Sequence, residues 1–249
     1  MMFRNIAALA ACLSVCAAAD AQETGQEMTL EFPPELGARI NAAFDAEMAG
    51  FQAMECAEND LDCLSAELIE RFRVDQWARE QFFSPEICGE YAQSHPQQCQ
   101  MQVMGTTAFR GDAPNLARLK EIMAAHGWPS PPGFDPEAQR GAWYIAQHGQ
   151  YIDETGTTQW DADFAESILP EVMEAVAREE LTPWAYAAMY DRIQRTRGLP
   201  QRYATQIMCE DGRAAFGALE DEARITEFRA EIGMQAFDQA AYDAHCSTG

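Results

Sequence analysis

From residue 35 onward the apolar residues recur at intervals of three and four. Leu36, Ile40, Ala43, Phe44, Met48 and Phe51 fall on one stripe just after Pro33-Pro34, the spacing of an amphipathic helix. A second helix is predicted from about Asp60, with Leu61, Leu64, Leu68, Phe72 and Trp77 on or near one face. Ser84-Pro85-Glu86 restarts a short helix or loop, followed by a polar, glutamine-rich excursion. Pro114 opens a helix carrying Leu116, Leu119, Ile122 and Met123 that stops at Gly127, with Pro129 just beyond. Asp135-Pro136 reads as an N-cap followed by proline at the first helical position, and that helix is expected to reach about Gly149. Tyr151 to Thr158 reads as a loop. Phe164, Ile168, Val172, Met173 and Val176 mark a helix kinked by Pro170, and Thr182-Pro183 opens another that ends at Gly198-x-Pro200. A final helix is expected over roughly Leu219 to Ile232. No alternating apolar pattern persists, so the expected fold is all-α, a multi-helix domain with an N-terminal helical hairpin.

The N-terminus has the form of a secretory signal. Arg4 supplies the positive end, Ile6 to Val15 a short apolar run, and Ala19-Asp20-Ala21 a small-x-small cleavage site. About ten apolar residues are too few to span a bilayer, which needs roughly 20. Leu13-Ser14-Val15-Cys16 approaches a bacterial lipobox, but valine before the cysteine fits poorly, so simple cleavage is favoured over a lipid anchor at Cys16. The chain is thus divided into a signal peptide (1–21), a flexible lead (22–34), a helical hairpin with a cysteine-bearing loop (35–110), and a C-terminal helical unit (111–249) packed with it as one domain. The expected location is the periplasm or the exterior.

Cleavage leaves Cys56, Cys63, Cys88, Cys99, Cys209 and Cys246. An even set in an exported chain points to disulfides, and six cysteines allow 15 pairings. Sequence proximity favours Cys56–Cys63, Cys88–Cys99 and Cys209–Cys246. On a chain-entropy account the longest bridge contributes about 4 kcal/mol. There is no C-x-x-C pair and the histidines lie far from the cysteines in sequence, which disfavours zinc.

Charge narrows the partners. Forty acidic and 17 basic residues give the 249-residue chain a formal charge of -23. Such a surface repels phosphate backbones and anionic lipid, so no nucleic-acid partner is expected. Nothing resembles a phosphate-cradling G-x-G-x-x-G, a P-loop, a G-x-S-x-G elbow or H-E-x-x-H, and no cofactor or metal is called for.

Four polar clusters could carry chemistry. Arg71, Asp75, Gln76 and Arg79 are spaced at helical turns, as in a surface ion-pair ladder or a binding face. His126-Gly127-Trp128-Pro129 sets a histidine at a helix C-terminus, where the dipole alone would favour an imidazolium. Trp143-Tyr144-Ile145-Ala146-Gln147-His148 offers a histidine able to act as acid, base or ligand, or simply to sit in a core. The fourth, from Asp191 to Gln206, concentrates four arginines in a strongly acidic chain. Their guanidinium forks suit a small anionic ligand, or neutralise the protein's own acidic helices.

Taken together, the clusters resemble an uncharacterised bacterial family, domain of unknown function 6624. The resemblance rests on Asp75-Gln76 followed by Arg79, on His126-Gly127-Trp128-Pro129, on Ala142-Trp143-x-x-x-Gln147-His148, on Tyr190-Asp191-Arg192, and on Gly198-x-Pro200-Gln201-x-Tyr203-x-Thr205-Gln206. It covers about two-thirds of the chain. The sequence departs from the family pattern at Ala204, where glycine is usual, around Cys88 to Cys99, and near Thr155 to Gln159. The resemblance sharpens the residue list and names no reaction.

Two readings follow. In the first, the protein is a non-catalytic ligand-binding or envelope-interaction module. Asp75, Gln76, Arg79, Trp128, Trp143, Gln147, Arg192, Gln201, Tyr203 and Gln206 would line a polar pocket or buried network, with Trp128 and Trp143 as a docking face. In the second, it is a hydrolase or acyl-transfer enzyme on a small anionic or amide substrate, with His148 as base and Asp191 and His126 as partners. Thr205 is the one candidate nucleophile. A metal bound by two histidines would require His126 and His148 to converge.

Overall fold

A computed structural model of the protein describes residues 32–83 and 86–247. The expected signal peptide, Cys16 and nearly all of the lead lie outside them. Mainly helical, the described residues divide into two compact units, one up to Leu181 and one from Thr182 onward. The division expected near residue 110 is displaced because the helices after it pack on those before it. Among the described residues no helix is long and apolar enough to cross a membrane.

The first unit begins with α1 (Pro34–Gln52) and α2 (Leu61–Phe83), joined by a turn that Cys56–Cys63 clips. The predicted stripe is buried as Leu36, Ile40, Phe44, Met48 and Phe51. It packs on Val74 and Ala78 of α2 and on Cys88, Cys99 and Val103. Each such side chain contributes about 1.5–3 kcal/mol by leaving water. A 3-10 turn (Glu86–Cys88) and α3 (Tyr91–Ser94) lead into α4 (Pro96–Thr107), and Cys88–Cys99 ties the turn to α4.

Pro114 does not open a separate helix. α4 runs through a π-helical turn, Ala108–Asp112, directly into α5 (Ala113–His126). Proline has no N–H to return to the carbonyl four residues back, and the Ala113 N–H instead reaches Ala108, five residues back. The turn buries Asp112.

α6 (Pro136–His148) starts as predicted, with the Asp135 carboxylate accepting from the Glu137 N–H, but it is buried almost throughout rather than along one stripe. It lies beside α2. The Asp135 N–H donates to Ser65 Oγ at one end of the contact and His148 meets Asp75 at the other, sequence offsets of 70 and 73, so the helices run parallel. Gly141 permits the approach: a Cβ there would lie 3.0 Å from Phe72 Cβ and 3.1 Å from the Leu68 carbonyl oxygen.

The segment read as a loop is an antiparallel hairpin, β1 (Gln150–Ile152) with β2 (Thr158–Trp160). Its turn is built by Asp153, whose Oδ1 accepts from Thr155 N, Thr155 Oγ1 and Thr157 N. Instead of one helix kinked at Pro170, the chain forms α7 (Ala162–Ser167) and α8 (Leu169–Ala177), broken at Ile168.

The second unit contains α9 (Pro183–Thr196), a second hairpin of β3 (Met208–Glu210) and β4 (Arg213–Ala215), a 3-10 turn (Glu222–Arg224), α10 (Ile225–Glu231) and α11 (Gln239–Ser247). Asp211-Gly212 turns the hairpin with φ of 51° and 73°, the left-handed pair that a two-residue turn demands. The helix expected from Leu219 starts at Ile225, because Gln201 pairs with the segment before it: its N–H donates to Ala218 and its carbonyl accepts from Glu220; nor is it the last helix, since α11 follows. Cys209–Cys246 joins β3 to α11.

Two outcomes check this packing. Gly141→Val should lower unfolding free energy by about 1–3 kcal/mol in denaturant titration, since overpacking outweighs the roughly 1 kcal/mol helix penalty that glycine carries. Intact mass spectrometry of the unreduced mature protein should find no free thiol.

Candidate functional site

Four of the predicted residues meet where α2, α6 and the π-turn converge in the first unit. Asp75 and Arg79 stand one helical turn apart on α2, and His148 ends α6. His148 Nδ1 lies 3.0 and 2.9 Å from the two Asp75 carboxylate oxygens. Gln76 Nε2 donates to Asp75 Oδ2 at 2.7 Å. Arg79 Nη2 donates to Asp75 Oδ1 at 3.2 Å and, more closely, to Asp112 Oδ1 at 2.6 Å. Gln150 Nε2 completes the ring by donating to Asp112 Oδ2 at 3.0 Å.

These geometries fix the proton. Arg79 Nε stands 3.4 Å from His148 Nδ1, but a carboxylate at 2.9 Å is the stronger neighbour. Nδ1 therefore carries a hydrogen and donates to Asp75, and in the neutral imidazole the lone pair falls on Nε2. Phe72 stacks on Tyr144 at 4.8 Å, and the Tyr144 ring lies 5.8 Å from His148, supporting the imidazole from within α6. Burial raises the Tyr144 phenol above its ordinary value.

Burial opposes charge on both aspartates, with opposite outcomes. At Asp75 the charges of His148 and Arg79 and the hydrogen bonds from His148 and Gln76 overcome it, and the carboxyl lies below the ordinary carboxylate range. At Asp112 burial wins, helped by the Asp75 anion, and the carboxyl is raised despite Arg79. One guanidinium serves two carboxylates, so one stays ionised while the other favours its proton.

The remaining expected residues are distributed otherwise. Arg71 does not ladder to Asp75; it turns to Glu67 at 2.8 Å, which also takes Arg118 at 2.9 Å. His126 Nε2 is 2.6 Å from the Glu58 carbonyl oxygen, in the disulfide-clipped turn. Trp128 and Trp143 are buried, and Gln147 accepts the Trp160 indole N–H through its backbone carbonyl at 3.0 Å. Among the described residues no group of three His, Cys, Asp or Glu side chains is placed to hold a metal ion. Asp112 and Gln150 escaped sequence reading: an aspartate two residues before a proline resembles an ordinary helix start, and Gln150 fell between the expected helix end and the expected loop.

In the second unit Asp191 organises the Gln201–Gln206 motif. Its fully buried carboxylate accepts from Arg202 N at 2.8 Å, Tyr203 N at 3.1 Å, Thr205 N at 2.9 Å and Thr205 Oγ1 at 2.9 Å. Burial raises the carboxyl, and these four donors pull against it. Gln201 Nε2 donates to the Gln206 carbonyl at 2.9 Å, Gln201 Oε1 accepts from Gln206 N at 2.9 Å, and Gln206 Nε2 reaches the Ala188 carbonyl at 3.2 Å. Tyr203 is buried among Tyr186 and Tyr190, and its phenol is raised by that burial. Arg192 is half-buried. The Thr205 hydroxyl bonds Asp191 rather than a histidine, which is poor activation for a nucleophile. Ala204 has φ of 54°, the conformation that explains why glycine is usual there.

A model of the family of unknown function DUF6624 matches residues 63–242. The chain belongs to that family. Neither a curated protein nor a solved structure matches it.

The two aspartate shifts predict opposite pH behaviour. An Asp75→Asn variant should close its stability deficit against wild type as pH falls through about 4, because a depressed carboxyl stabilises only while ionised. Asp112→Asn should lose ground to wild type as pH falls from neutral toward about 4, because a raised carboxyl stabilises when protonated. Urea titrations from about pH 2 to about pH 8 separate the two, since the depressed Asp75 carboxyl gives up its stabilisation only below about 4. In the second unit, Asp191→Ala strands buried N–H donors and should cost about 3–5 kcal/mol in the same measurement.

Proposed function

We propose that the protein is an exported, non-catalytic module that binds a small polar ligand, with the His148 imidazole as the recognition group. The observation carrying this reading is the Asp75–His148 pair, in which a buried carboxylate orients the imidazole. Arg79 already serves Asp75 and Asp112, so this centre suits a neutral hydrogen-bonding group such as an amide better than the small anion expected from the arginine count. Asp191, Gln201 and Gln206 then hold their loop rather than touch ligand, and His126 braces the Glu58 turn. The disulfides support a periplasmic or secreted location, in keeping with the signal sequence. On this reading α1 and α2 form the expected hairpin, closed by its own bridge.

A second reading, hydrolysis or acyl transfer with His148 as base, is favoured by one observation: the two carboxyls are pushed in opposite directions within one cluster. The described cysteines are all bridged, so an activated water would serve as nucleophile.

The test compares wild type with His148→Asn, whose amide nitrogen takes the place of Nδ1 beside Asp75 while the Nε2 position is lost. In a thermal-shift screen of small amides, carboxylates and divalent metals, at least one compound should stabilise wild type and not the variant; at 100 times its dissociation constant a ligand contributes about 2.7 kcal/mol. A broad screen without such a compound refutes the binding reading. Turnover of an ester or amide panel by wild type, abolished in His148→Asn, would establish the catalytic reading instead.

A further inference from the structure

Arg229, on α10 in the second unit, is 5% exposed and has no acidic partner among the described residues. Its Nη2 donates to the Tyr242 hydroxyl at 3.2 Å. The guanidinium lies 5.6 Å from the Phe237 ring centroid and 5.9 Å from that of Tyr242. Its Nε and Nη1 are buried and have no hydrogen-bond partner. Other enclosed cations of the molecule are treated differently: Arg71 has Glu67, and Arg79 has Asp75 and Asp112. A buried lysine or histidine could shed its proton to escape the cost of burial, whereas an arginine stays charged. Aromatic faces recover part of that cost but satisfy no N–H.

We propose that Arg229 is the anchor of an oxyanion-binding site, taking an oxygen of a small carboxylate or a phosphate on Nη1 or Nε. These nitrogens lie on different edges of the guanidinium, and each offers a charge-assisted N–H donor in its plane. The Arg202 and Arg224 guanidiniums, each 4.6 Å from the ring of Phe228, the residue before Arg229, have carboxylates of their own in Glu220 and Glu227, whereas Arg229 has none among the described residues. Phe216, Phe237 and Tyr242, with centroids 5.2–5.7 Å apart, wall the guanidinium on its apolar side. The segment 233–238 between α10 and α11 contains Phe237, has no helix or strand of its own, and is tethered back by the Met234 N–H to the Arg229 carbonyl at 2.8 Å. Cys209–Cys246 meanwhile fixes the helix that carries Tyr242. This site shares no residue with the His148 cluster.

The test is a thermal-shift titration of the full mature protein with inorganic phosphate and, separately, acetate, at ionic strength held constant with sodium chloride. Wild type should show a saturable rise in Tm with at least one anion, and the anion with the lower half-saturating concentration identifies the preferred chemistry. Arg229→Met should abolish the rise while leaving the ligand-free Tm equal or higher, since it removes an unpaired buried charge. If that variant fails to fold, Tyr242→Phe keeps the ring, frees Nη2, and should raise the half-saturating concentration several-fold. His148→Asn should leave the anion response unchanged, separating this site from the ligand site proposed above. A wild-type Tm that is flat with both anions, or that follows ionic strength alone, overturns the proposal. So does an undiminished rise in Arg229→Met, or in Tyr242→Phe where only that variant folds.

Discussion

Keeping Asp75 ionised inside a helical core is the constraint on which the first unit turns. A buried carboxylate survives as an anion only if donors replace the water it has lost. Its partners arrive from two directions: Gln76 and Arg79 from its own helix, and His148 from α6. The last requires α2 and α6 to run side by side for two turns, which the absence of a side chain at Gly141 allows. Arg79 then couples the pair to Asp112, and Asp112 is buried only because the chain makes a π-turn ahead of Pro114. Helix spacing, proline chemistry and electrostatics thus act on a single point.

The second unit meets the same problem with different donors. Asp191 is served by three backbone N–H groups and a hydroxyl, all from a loop that side-chain amides of Gln201 and Gln206 hold together. Backbone donors carry no proton that the site could exchange, so this arrangement is suited to holding a loop. The Asp75 cluster is built from side chains that titrate, which makes it the better place for recognition or proton transfer. Arg229 is the counter-example in the same unit, a buried charge whose donors outnumber its acceptors.

Much of this was legible from residue spacing. The α1 stripe, the Asp135-Pro136 start and the Cys56–Cys63 and Cys88–Cys99 pairings follow from local sequence, because each depends on residues close along the chain, and Cys209–Cys246 is the pair these leave. The hairpins were not: three-residue strands are too short for alternation to register, although Asp211-Gly212 is itself a turn signal. The helix expected from Leu219 was displaced by a backbone pairing to Gln201, some 18 positions earlier. The Pro114 boundary was misread because a proline that starts a helix and one that follows a π-turn look alike in sequence.

Asp75, Gln76, Arg79 and His148 could be singled out by residue type and motif, and their membership of a family supported them. Which of them touch could not. Asp191 and Asp75 were both candidates for the carboxylate that orients a histidine; the oxygens of Asp191 are occupied by its own loop, Asp75 meets His148, and Asp112 took a place that no motif had reserved. By itself, then, the sequence determined the helical class, the covalent staples and the inventory of ionisable groups, since these follow from periodicity, proximity and composition. Only the tertiary structure decided which charges share a partner, in which direction each buried carboxyl is shifted, and that Arg229 has no counter-ion among the described residues. Those outcomes depend on burial and on contacts between residues dozens of positions apart, and local pattern carries no record of either.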